Sequence, residues 1–125
     1  MTIDPTSKAP EGWWDEPWYR VRTERFVASF LPNAGEDLAA VCNVDVEVRL
    51  MDGSRWSATV FTLAEVQRLM ERWAETGEEA GGRYFWCSDG LIVRESGIDN
   101  MTRAISGVLD EGDFEQILQR LEDDE

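Results

Sequence analysis

Apolar and polar residues alternate from Asn43 to Leu50: Val44, Val46, Val48 and Leu50 fall on one side, Asn43, Asp45, Glu47 and Arg49 on the other. A two-residue period marks a half-buried strand. Trp56, Ala58 and Val60 resume the alternation against Arg55, Ser57 and Thr59, so the stretch reads as a hairpin turning near Asp52-Gly53. Both apolar sets share a face only if the connection has an odd number of residues. A loop of Met51–Gly53 sets Gly53 at the left-handed position that three-residue loops favour, but it places Arg49 opposite Arg55, an unfavourable pair. A loop of Asp52–Ser54 avoids that clash, and both remain open.

After the hairpin the period changes. Leu63, Val66, Leu69, Met70 and Trp73 recur at three- and four-residue steps, the stripe of an amphipathic helix. Thr62-Leu63-Ala64-Glu65 has the form of a capping box, Arg68, Glu71, Arg72 and Glu75 form the solvated side, and Gly77 ends the helix. The stripe is expected to lie across the valine face. Gly81-Gly82 leads into Arg83–Cys87, Ser88-Asp89-Gly90 turns, and Leu91-Ile92-Val93 returns. Apolar on both faces, this second hairpin reads as central or covered. Two short helices follow, the first capped by Ser96 or Asp99 with Ile98, Met101, Ile105, Val108 and Leu109 on one side. The second is capped by Asp113, with Phe114, Ile117, Leu118 and Leu121 inward, and Gly112 separates them.

The N-terminal part is less regular. Residues 1–12, with Pro5, Pro10, Ser7 and Gly12, read as a flexible arm, and 13–125 as one α+β domain. Trp13, Trp14 and Trp18 read as a cluster that folds back on the body. Tyr19–Thr23 reads as a strand; from there to Leu31 both periods fit. Pro32-Asn33-Ala34-Gly35 is a turn.

Composition narrows the function. The chain has 125 residues and a net charge of −14, from 26 acids against 12 bases. Such a surface repels nucleic acid and anionic membranes and suits either a basic protein partner or simple solubility. From Asp99 onward nine acids face only Arg103 and Arg120, whereas 18–31 holds Arg20, Arg22 and Arg25 against Glu24. With no histidine, Ser–His and Cys–His pairs and His-ligated zinc are excluded. Cys42 and Cys87 read as reduced core thiols, with one disulfide as the alternative. The start lacks a basic, apolar leader and no apolar run approaches a membrane span, so the expected address is the cytoplasm.

No phosphate-binding loop, dinucleotide fingerprint or serine elbow is present. Asp45, Glu47, Arg49 and Arg55 read as the wet face of a sheet, with a small-molecule surface beside Tyr84 and Trp86 as the rival reading. Asp110, Glu111, Asp113 and Glu115 lack the alternating ligands of a calcium loop; they read as a partner-binding edge, and no cofactor or metal is implied.

Asp52-Gly53-Ser54-Arg55-Trp56, Thr62–Glu65, Tyr84-Phe85, Asp89–Val93 and Phe114-Ile117-Leu118 together resemble small acidic bacterial α+β proteins, among them immunity proteins that neutralise secreted toxins. The resemblance covers roughly half the chain and carries no site residue. The order of elements predicts an α+β fold: an antiparallel sheet of four to five strands (two hairpins), one amphipathic helix on a face and two short C-terminal helices. The expected function is non-catalytic: masking a basic partner. The alternative is a self-associating scaffold, such as a homodimer, or a small regulatory protein, and the further alternative is a small-molecule binder or enzyme.

Overall fold

The computed structural model describes residues 9–122. Seven strands form one sheet: β1 (Glu11–Asp15), β2 (Trp18–Arg22), β3 (Phe26–Leu31), β4 (Asn43–Leu50), β5 (Arg55–Thr62), β6 (Gly90–Val93) and β7 (Gln119–Leu121). Helix α1 (Leu63–Thr76), a short left-handed turn α2 (Glu78–Gly82), helix α3 (Ile98–Glu111) and the single turn α4 (Phe114–Ile117) complete it. The class is α+β, with more strands than the sequence pattern suggests. Strands β1 to β5 form an antiparallel meander in chain order. The outer edge of β5 is shared end to end: β6 pairs parallel with Thr59–Thr62, and β7 pairs antiparallel with Arg55–Ser57. The expected all-antiparallel sheet is thus interrupted by one parallel pair, which a hairpin cannot make and which α1 supplies as its crossover.

The first hairpin adopts the Met51–Gly53 loop. Arg49 stands opposite Arg55, and Gly53 has φ 87°. Arg55 relieves the clash by turning to Glu47, 3.1 Å away, and to the backbone oxygen of Glu122 at 3.0 Å. Asp52 accepts from the Ser54 hydroxyl at 2.6 Å, and the Trp56 indole N–H donates to that hydroxyl at 2.9 Å. The turn is thereby tied to a core tryptophan.

The valine face is buried as expected, but by a different helix. Val44, Val46, Val48, Trp56, Ala58 and Val60 join Phe26, Phe30, Met101, Ile105, Phe114 and Leu118 in one cluster, so α3 and α4 cover the sheet. Fully burying each large side chain there contributes about 1.5–3 kcal/mol. Neither Ser96 nor Asp99 caps α3; Gly97 does, at φ 99°, where an added Cβ would lie 2.8 Å from the Ala39 oxygen. Its N–H donates to Val41 O and that of Ile98 to Leu38 O, which docks the helix start on the loop before β4.

Helix α1 does not cross the valine face. It begins at the residue after β5 ends, so its axis leaves from the sheet end with no linker to carry it back. Of its stripe only Val66 is buried, Leu63 is exposed, and Leu69, Met70 and Trp73 are half-buried. Trp73 stacks on Phe85 at 6.0 Å, and Phe85 meets Phe61 edge-on at 4.9 Å. Phe61 points away from Val60 and Ala58, so this small cluster sits on the opposite sheet face. The capping box is half-formed. Thr62 Oγ1 accepts from Glu65 N at 3.1 Å, but the Glu65 carboxylate turns to Arg68, and Thr62 N donates to Cys42 O.

Three other expectations change. Arg83–Cys87 is no strand: only β6 forms, Phe85 turns to Phe61 and Trp73, and Trp86 is 76% exposed. The tryptophans extend the sheet instead of folding back over it: Trp13 and Trp14 lie in β1 and Trp18 in β2, joined at Glu16-Pro17 by a cis peptide. Glu11 and Gly12, expected in the arm, belong to β1; residues 1–8 lie outside the described residues, as do 123–125 of the acidic tail. Finally, the last helix stops after one turn, and Leu121 belongs to β7.

Candidate functional site

Two surfaces remain once the core is assigned: the sheet face opposite α3, and the outer side of α3 with its junction to α4. On the first, cross-strand neighbours satisfy one another. Arg20 donates to Asp15 at 2.9 Å and to Ser29 Oγ at 2.7 Å. Thr59 Oγ1 donates to Asp45 at 2.9 Å, and Arg55 pairs with Glu47. Arg22 lies 5.2 Å above the Trp13 ring and Arg20 5.9 Å from that of Trp18. Asp45, Glu47 and Arg55 are thus spent on a ladder, while Tyr84 and Trp86 lie exposed in the loop before β6.

The second surface carries the acids singled out from the sequence. They do not form one face. Consecutive helical residues diverge by about 100°, and Asp110 and Glu111 open onto different hollows. Asp110 lines a cleft of about 470 Å³ with Thr102, Arg103 and Ser106 and pairs with Arg25 at 2.8 Å. Arg25 also donates to Ser106 O at 2.9 Å. The opposition between a basic 18–31 segment and an acidic C-terminus is therefore partly satisfied inside the molecule. Glu111 and Asp113 line an open groove of about 580 Å³ between β6 and α3. Glu115, on α4, is exposed. Among the described residues, Glu111, Asp113 and Glu115 make no ion pair.

Sequence reasoning counted Arg103 only as a counter-charge and did not single out Arg94; both line the same groove as Glu111 and Asp113. The available signal was the helical spacing of Asn100, Arg103, Gly107 and Glu111, a polar row beside the apolar stripe.

The thiols are poor nucleophiles. Cys42 and Cys87 are both free and half-buried. Burial, reinforced by Glu65 at Cys42 and by Asp89 at Cys87, raises both above the ordinary thiol value, so each is protonated at neutral pH. Glu79 raises the Tyr84 hydroxyl in the same sense. Among the described residues no group of three or more Cys, Asp or Glu is arranged to hold a metal ion, and no helix is long and apolar enough to cross a membrane. Comparison with family models, with curated proteins and with solved structures finds no match to this chain.

Proposed function

We propose that the chain is a non-catalytic binding protein of immunity or antidote type, which masks a basic patch on a partner protein. The observation that supports this is the α3–α4 junction. Among the described residues Glu111, Asp113 and Glu115 stand exposed there outside any ion pair, on a chain of net charge −14. An internal pair such as Asp110–Arg25 has already found its counter-charge, whereas these three make the local potential toward solvent more negative. Charge of this kind steers encounter and selects register, and burial of nearby apolar surface sets the lifetime of the complex.

The test is binding of the purified chain to the product of the adjacent reading frame, followed by calorimetry at low and at moderate salt. A triple reversal, Glu111→Lys, Asp113→Lys and Glu115→Lys, is expected to weaken binding at least tenfold and to flatten its salt dependence. Unchanged affinity in that variant would remove the junction from the interface.

A further inference from the structure

Among the described residues, strand β6 ends the sheet order on the β5 side. In its parallel ladder Thr59 N donates to Asp89 O at 3.0 Å. That register turns the backbone groups of Leu91 and Val93 toward β5 and those of Ile92 toward solvent. Ile92 thus presents an outward N–H and C=O, and its side chain, on the face opposite α3, is 48% exposed. A short open edge bearing an exposed isoleucine is a template for strand addition.

The groove beside this edge is electrically polar along its length. Arg94 follows the end of β6 with Glu95 after it, and Arg103 lies on the N-terminal half of α3; Glu111 and Asp113 lie where α3 ends. Two arginines against Glu95 leave the first end net positive, while the second end is acidic, so the two ends carry opposite net charges. We infer that β6 pairs antiparallel with β6 of a second copy of this chain, about a two-fold axis through Ile92. Antiparallel pairing about that axis sets Ile92 against Ile92 of the second copy, exchanging both outward hydrogen bonds and covering both side chains. It also turns the Arg94–Arg103 end of each copy toward the Glu111–Asp113 end of the other. Parallel pairing would bring like ends together, so the charge order selects the antiparallel arrangement.

The pairing is weak by size. A four-residue strand and one groove fall below the roughly 1,200 Å² of a standard interface. The net charge of −14 on each copy opposes association at low ionic strength, and about 0.15 M salt screens it to within about 8 Å. Glu111 and Asp113 cannot serve a second copy and a basic partner at once, so the two associations compete. The dimer needs no other protein, and its failure leaves the partner reading standing.

The experiment is sedimentation velocity of the purified full chain in 0.15 M salt, over roughly two decades of concentration up to the hundreds of micromolar where so small an interface assembles. A reversible monomer–dimer equilibrium is expected. Ile92→Pro removes the outward N–H without touching the β5 ladder and is expected to abolish the dimer. Independently, Arg94→Glu/Arg103→Glu and Glu111→Arg/Asp113→Arg should each stay monomeric alone and form a dimer when mixed, because both ends are then complementary. A wild-type chain that remains monomeric throughout, or double variants that fail to associate on mixing, would overturn the proposal even if Ile92→Pro does not fold.

Discussion

Helices α1 and α3 have the same length, 14 residues, and both carry an apolar stripe. Both have a first-turn acid, Glu65 and Asp99, and a left-handed glycine C-cap, at φ 85° and 80°, but only α1 has a side-chain N-cap, Thr62. Helix α3 starts at a glycine with no side-chain cap. Yet α3 buries Ile98, Met101, Thr102 and Ile105 in the main core, while α1 buries only Glu65 and Val66. Local signals decide that a helix forms, and the connection decides which surface receives it. Following β5 directly, α1 is held at the sheet end, whereas Arg94–Gly97 gives α3 room to turn back across the valines.

The difference can be broken or sharpened by substitution, with stability read from denaturant unfolding. Met101→Ala empties a fully buried site under the sheet and is expected to cost about 3 kcal/mol. Trp73→Ala removes a larger side chain that is only half-buried against Phe85, and is expected to cost less, about 1–2 kcal/mol. The reverse order would mean that α1, not α3, closes the core. Ser54→Ala leaves the Trp56 indole N–H without its acceptor inside the α3 core and is expected to cost about 1–2 kcal/mol.

Glu65→Gln probes the one buried charge on α1. Arg68 donates to Glu65 twice, at 2.6 and 3.0 Å, and with help from Asn43 holds its carboxyl below the ordinary range against the opposing effect of burial. A depressed folded value means the stabilisation is complete above the unfolded value, about 4.3, and fades as pH falls through the folded one. The gap between wild type and Glu65→Gln is expected to be about 1 kcal/mol at neutral pH and to close in acid. A gap independent of pH would show that the ion pair contributes nothing. The smallest effect is Ala80→Gly: at φ 55° in the left-handed turn after α1, relief of strain outweighs the added chain entropy by about 0.5 kcal/mol.

The β4–β5 hairpin was legible because its period, its turn glycine and its buried face all follow from adjacent residues. The existence of α1 and its end at Gly77 were legible for the same reason. The pairing of β6 was not, since Leu91-Ile92-Val93 fits a hairpin and a crossover equally well and only the long-range register with Thr59–Thr62 decides. The apolar Tyr84-Phe85-Trp86 run misled because Phe85 alone is drawn inward, by Phe61 and Trp73. In the acidic segment, the sequence showed the excess of charge but not its division. Asp110 is claimed by Arg25, 85 positions away in the chain, while Glu111 one residue later opens on the β6 groove.

Native-state hydrogen exchange tests most directly the claim that α3 closes the core and α1 is peripheral. Amides from Thr102 to Val108 in α3 are expected to exchange only through global unfolding, with the same protection as β4 and β5. Amides from Gln67 to Ala74 in α1 are expected to open at a clearly lower free energy. Equal protection of the two helices, or greater protection of α1, would contradict the account.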